Sequence, residues 1–281
     1  MLGFLGARSM SGVESADDDA YLRTAKLGGH AGWIRVRDEP AKNALLVEIS
    51  PALVPALPDL LIRLEHLFDT GADPAIVASH LAHHAPLAAS VAQRPGLRVP
   101  GAFDGFELAV RAILGQQITV KAATTIAGRF ANAFGDAIDT PHATLTHLSP
   151  TSRRIAAASI DEVASLGIIQ TRARSIISIA QEMESGRLQL EPGAMPDGLI
   201  ARLVALPGIG PWTADYIAMR ALRWSDAFPR GDIALRNALG GVTAARAEDL
   251  SQPWRPWRSY ATLHLWFEAG ERELPIRASS R

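Results

Sequence analysis

The feature that most constrains this chain is the segment Leu206-Pro-Gly-Ile-Gly-Pro-Trp-Thr-Ala214. A helical pattern (Leu199, Leu203, Leu206) runs into Pro-Gly-x-Gly, and a second helical pattern, Ala214 to Leu222, starts at once. Proline and glycine end one helix and admit the next, so the segment predicts two helices joined by a tight hairpin. Gly208 and Gly210 allow positive φ and let a ligand approach the backbone closely. Their amides, with the N-terminus of the following helix, form an anion site whose natural guest is a phosphate. Thr213 stands where a dinucleotide-binding loop needs its third glycine, and no Lys-Ser/Thr follows as in a phosphate-binding nucleotide loop, so both nucleotide-cofactor readings fail. A purely structural turn between helices explains the segment equally well.

A second segment, Phe228-Pro-Arg-Gly-Asp-Ile-Ala-Leu-Arg236, places Asp232 just before an apolar helix. An N-capping aspartate accounts for it fully. A carboxylate held rigidly in that way is also available for chemistry. Trp212 and Tyr216, four residues apart, share a helix face, a pattern of core packing more often than of a binding wall. His80, His83 and His84 lack the His-Glu-x-x-His order of a metal pair, and Asp17-Asp18-Asp19 lacks the spacing of a calcium loop, so these read as helix histidines and a solvated acidic turn.

The first seventy residues mix signals. Residues 32–37 and 44–50 alternate like half-buried strands with a turn at 37–43, and residues 52–68 repeat leucine at helical spacing. From residue 74 onward nearly everything is helical. Asp73 and Asp104 stand where helix caps belong, and Pro95-Gly-Leu-Arg-Val-Pro-Gly101 is a linker. The fold class is therefore α+β, a small antiparallel β-containing domain followed by a mostly helical body carrying the hairpin. The chain of 281 residues has no cysteine, which excludes disulfides, thiolate metal sites, iron–sulfur clusters and cysteine nucleophiles. It has no apolar run of membrane-spanning length and no basic leader, so the cytoplasm is the expected compartment and no membrane partner is expected. Net charge is −1, against an indiscriminate polyanion coat.

These segments resemble the helix–hairpin–helix DNA glycosylase superfamily, and within it the alkylpurine branch of AlkA-type 3-methyladenine DNA glycosylase II. The similarity runs in order through 94–101, Arg111-Ala-Ile-Leu-Gly-Gln-Gln-Ile118, 206–214, the Asp232 segment, 254–261 and His264-Leu-Trp-Phe267. It implies an N-terminal α+β domain over 1–74, in which either the family's first edge strand is missing or the true start lies upstream. It also implies a helical domain from 75–98 and 217–281 with the catalytic aspartate, and another over 99–216 with the wedge and the hairpin. It implies that Asp232 is catalytic and that Trp212, Tyr216, Trp266 and Phe4 line the base pocket. Gly208, Gly210 and Thr213 would hold DNA phosphate, Gln117 would fill the gap left by an extruded base, and the carbonyls of Leu206 and Ile209 would hold a monovalent cation. The family has an apolar wedge where Gln117 stands, and Asp and Tyr where Gly231 and Ile233 flank Asp232.

The activity so implied is excision of alkylated purines from double-stranded DNA by a monomer acting on the nucleoid, with no cofactor. Relatives that also nick the strand use a lysine just after the hairpin. Here Trp212 occupies that place, and Lys121 is the one lysine beyond residue 42, so a glycosylase without lyase activity is expected. A non-catalytic DNA-binding module using the same hairpin, or a glycosylase for other damaged bases, remains the alternative.

Overall fold

The computed structural model describes residues 1–196 and 198–273. A short helix, α1 (Leu2–Ala7), leads into a four-stranded antiparallel sheet of order β1-β2-β3-β4, formed by Glu14–Ala16, Ala20–Leu27, His30–Glu39 and Ala44–Ile49. Strands β3 and β4 match the alternation read from the sequence, in a register that sets Ile34 opposite Ile49 and Val36 opposite Val47. The acidic triplet is the β1–β2 turn, where Asp17 Oδ1 accepts the N–H groups of Asp19 (2.9 Å) and Ala20 (2.8 Å).

Strand β2 was not legible in the sequence, and its surroundings explain why. Tyr21, Ala25 and Leu27 pack against α2 (Leu57–Phe68), while Thr24 on the other face donates to the His147 carbonyl at 2.7 Å. Both faces are covered, so no polar stripe marks the period. Burying Arg23 in this strand is tolerated because Glu107 pairs with it at 2.9 Å.

The body that follows is helical: α3 (Pro74–Leu81), α4 (Ala85–Gln93), α5 (Gly105–Leu114), α6 (Val120–Phe134), α7 (Ser152–Ala156), α8 (Ile160–Ala164), α9 (Gln170–Glu184), α10 (Leu199–Val204), α11 (Pro211–Ala221), α12 (Ile233–Ala238), α13 (Ala244–Ser251) and α14 (Arg258–Glu273). The expected caps are formed. Asp73 accepts from Ala75 N at 2.9 Å and Asp104 from Glu107 N at 2.8 Å, each satisfying an orphan donor of a helix start. One buried apolar cluster joins Leu5 and Phe68 with the sheet, and a second extends from Met10 to Leu265 through the helical body. The domain expected at 217–281 ends in residues 274–281, which lie outside the described residues. Among the described residues no helix is long and apolar enough to cross a membrane.

Candidate active site

Helices α10 and α11 enclose the hairpin. Gly208 adopts φ of 74°, which favours glycine, and a Cβ there would sit 2.4 Å from Ser175 Oγ of α9. That hydroxyl donates to the Pro207 carbonyl at 2.6 Å, so α9 braces the turn from behind. Gly210 is the N-cap of α11 in extended conformation, and its missing Cβ faces open space. Pro211 follows at the first helical position and has no N–H, and the amides of Trp212 and Thr213, being in the first turn, have no intrahelical partner.

Thr213, in the first turn of α11, is buried, and its hydroxyl accepts Gln116 Nε2 at 3.0 Å. The Leu206 carbonyl accepts Ile209 N at 3.2 Å.

Asp232 caps α12, accepting Leu235 N at 2.8 Å on Oδ1. The same oxygen accepts Trp266 Nε1 at 3.0 Å, and Oδ2 accepts Trp212 Nε1 at 2.8 Å. The two indoles arrive from α11 and α14, and each presents its single donor to the carboxylate. Trp212 lies parallel to Tyr216, centroids 5.3 Å apart at 11°, and Tyr216 meets Trp266 at 6.3 Å. The helical spacing of Trp212 and Tyr216 thus serves a site wall and not the interior alone. Rings 5.3 Å apart leave no room for a third between them.

These four residues line a cavity of about 440 Å³, within the range of roughly 300–1,000 Å³ usual for ligand sites. Its opposite side comes from the α5–α6 region with Arg111 and Ile118, and its depth from Glu14, Arg23 and Glu107. Phe4 sits behind two of the cavity's arginines. Its ring carries the guanidinium of Arg8 at 3.9 Å and that of Arg220 at 4.9 Å, and these arginines, not the ring, line the cavity. The buried Arg220 also donates to Tyr216 Oη at 2.6 Å and to the Gly101 carbonyl at 3.0 Å, which fixes the tyrosine ring. Burial pushes the Glu14 carboxyl up, and the neighbouring Glu107 pushes it further, while Tyr21 Oη donates to it at 2.5 Å.

Sequence reasoning missed this polar depth. Arg220 follows Tyr216 by one helical turn and was visible in principle. Glu14 and Arg23 come from strands that carried no periodic signal. Gln117 is exposed in the α5–α6 turn with φ of 54°. Lys121 is exposed on α6 and is not among the residues lining the cavity. The histidine cluster holds together locally: His80 Nε2 bonds the Pro253 carbonyl at 3.1 Å and its ring meets His84 at 5.5 Å. Among the described residues no group of three or more His, Cys, Asp or Glu is arranged to hold a metal ion.

Comparison with known proteins gives a consistent pattern. The AlkA N-terminal domain family matches residues 1–104, and the family described as HhH-GPD superfamily base excision DNA repair protein matches residues 110–252. DNA-3-methyladenine glycosylase 2 of Escherichia coli (strain K12) is 35% identical over 270 residues, covering 96% of this chain and 93% of the relative. A probable bifunctional transcriptional activator/DNA repair enzyme AlkA of Mycobacterium tuberculosis (strain CDC 1551 / Oshkosh) is 38% identical, over 95% of this chain and 53% of that protein. The solved 3-methyladenine DNA-glycosylase from Archaeoglobus fulgidus has the same fold, with a TM-score of 0.82 at 19% identity, covering 97% of this chain and 95% of that one.

Proposed function

The chain belongs to the HhH-GPD superfamily of base excision DNA repair proteins, with the AlkA N-terminal domain, and from that premise we propose that it is a DNA glycosylase that removes alkylated purines through Asp232. The observation that carries this reading is the Asp232 carboxylate, held by two indole N–H groups and a helix-start amide at an aromatic cavity.

A damaged base inside a duplex is unreachable, so the nucleotide turns out of the stack at a cost of a few kcal/mol. Phosphate gripped by the amides of the Gly208–Thr213 hairpin and Gln117 filling the vacated space offset that cost. An N3- or N7-alkylated purine is cationic, and the faces of Trp212, Tyr216 and Trp266 favour it by about 0.5–2 kcal/mol. The cationic base leaves with the electrons of the glycosidic bond and needs no strong general acid. The sugar becomes oxocarbenium-like, and Asp232 stabilises it as carboxylates do in glycoside hydrolysis. Oδ1 already accepts two hydrogen bonds and Oδ2 one. Oδ2 therefore has a lone pair to orient the attacking water and take its proton.

We read the helical body as two lobes, 75–98 with 217–281 and 99–216, lying on either side of this cavity. The enzyme acts as a monomer on double-stranded DNA. The Leu206 carbonyl accepts one N–H, so a lone pair remains for a monovalent cation shared with the Ile209 carbonyl. Such an ion would neutralise the gripped phosphate. Trp212 stands in place of the lysine used by strand-nicking relatives, which supports release of the base without strand cleavage.

The test is Asp232→Asn with an alkylated duplex. Base release should be lost while affinity for the duplex stays within a few-fold. Release at the wild-type rate would refute the assignment of the chemistry to Asp232, and no release by the wild-type chain would return it to the class of non-catalytic hairpin modules.

A further inference from the structure

The turn carrying Gln117 joins α5 to α6 through residues 115–119. Gln117 holds a left-handed conformation that a side-chain residue adopts at a cost, and it faces solvent. Its neighbour Gln116 turns the other way. Gln116 Nε2 donates to the Gly208 carbonyl and to Thr213 Oγ1, both at 3.0 Å. The Gln116 backbone carbonyl accepts Arg172 from α9, the helix that holds the Pro207 carbonyl through Ser175. One side-chain amide thus ties the exposed turn to the hairpin tip and the first turn of α11.

We propose that Gln116 is a positioning residue that makes the wedge turn and the phosphate-gripping hairpin one rigid unit. The proposal rests on the reading of Gln117 and the hairpin given above. A side chain pushed into a base stack meets a restoring force, because opening the stack is uphill. A five-residue turn has soft dihedrals and recoils unless something behind it resists. The hairpin is the natural anchor, since it is held to the same DNA through phosphate. With the amide bonds in place, distance from gripped phosphate to inserted side chain is constant, and force on the wedge is returned to the backbone of the strand being opened. The chemistry of the side chain matters as well as its length. Two N–H donors face two oxygen acceptors, and a glutamate would set a carboxylate oxygen against the Gly208 carbonyl.

The role separates from catalysis by substrate. Release of an N7-methylguanine is measured under single turnover, once paired with cytosine in a duplex and once within an unpaired bubble, where no stack has to be opened. Loss of two hydrogen bonds in Gln116→Met should slow release from the paired lesion roughly tenfold, with the bubble substrate changed less than about twofold. Gln116→Glu should slow the paired reaction at least as much. Thr213→Val should add little on top of Gln116→Met, since both remove the same contact. Melting temperature is followed for every variant, and the bubble substrate reports on any that unfold. An equal loss on both substrates, or no loss on either, overturns the proposal and leaves Gln116 a structural residue. Failure of the wild-type enzyme to release base from both substrates would instead overturn the reading of the site.

Discussion

Replacing Gly208 with alanine probes the hairpin at the atom where backbone conformation and packing meet. The residue has φ of 74°, a region that costs an L side chain roughly 1–2 kcal/mol. The added Cβ would stand 2.4 Å from Ser175 Oγ, so the hydroxyl must rotate away. It then gives up its single donated proton, shared between the Pro207 carbonyl (2.6 Å) and the Thr171 carbonyl (3.0 Å), a loss of about 1 kcal/mol. The total is about 2–3 kcal/mol. In a Ser175→Ala background the clash is gone, because the next neighbours, Ser175 Cβ at 3.7 Å and the Thr171 carbonyl oxygen at 3.8 Å, are ordinary contacts of the new methyl group. Gly208→Ala should then cost only the dihedral share of roughly 1–2 kcal/mol. The two changes should therefore be coupled by about 1 kcal/mol in a double-mutant cycle. Urea unfolding of the four proteins measures it, with an unchanged dependence on urea as the check that the same transition is followed. An additive cycle, or a single-variant cost below about 1 kcal/mol, would refute the account of why glycine stands here.

Three further outcomes follow from the geometry. Trp212→Phe and Trp266→Phe each keep a ring but remove one donor from Asp232, a bond to a carboxylate worth about 1.5–3 kcal/mol, so each should slow base release roughly tenfold or more at nearly constant DNA affinity; unchanged rates in both would detach the indoles from the chemistry. Borohydride trapping with an alkylated or abasic duplex should yield no covalent adduct, and an adduct lost in Lys121→Ala would show lyase chemistry instead.

Burial lowers His66 to about 4 and His264 to about 4, with nearby arginines adding to both. The folded state refuses the proton that the unfolded chain accepts near its ordinary value of 6.5, so their contribution is full above that pH and is lost as pH falls toward 4. Asp104, raised to about 6 by burial and Glu107, works in the opposite sense, losing stability as pH rises through that range. Unfolding midpoints of wild type and His264→Asn should accordingly differ in pH slope between 6.5 and 4, with the variant flatter.

How much of the site was legible depends on how local each signal was. The hairpin, the caps at Asp73, Asp104 and Asp232, and the shared face of Trp212 and Tyr216 are decided within a turn or two of chain, by glycine and proline dihedrals, orphan amides and helical pitch. These appear in the structure as read. Strand β2 did not announce itself because both its faces are covered. Helix α13, Ala-Ala-Arg-Ala-Glu-Asp-Leu-Ser, has too few apolar residues to show a face. Arg220, stacked on Phe4, and the Gln116 amide bonded to Thr213 come from distant parts of the chain and left no local signal.

The sequence by itself determined the α+β class, the hairpin between two helices, the position of a rigid capping carboxylate, and the absence of cysteine chemistry. Each of these rests on composition or on interactions spanning a few residues. The tertiary structure alone decided that Trp212 and Trp266, 54 positions apart in number, converge on the two oxygens of Asp232. It also decided that Arg23 meets Glu107 beneath the same cavity and that Gln116 reaches the hairpin across 92 residues of chain. Such contacts arise from how helices pack, and packing brings together side chains whose spacing in the chain carries no trace of the encounter.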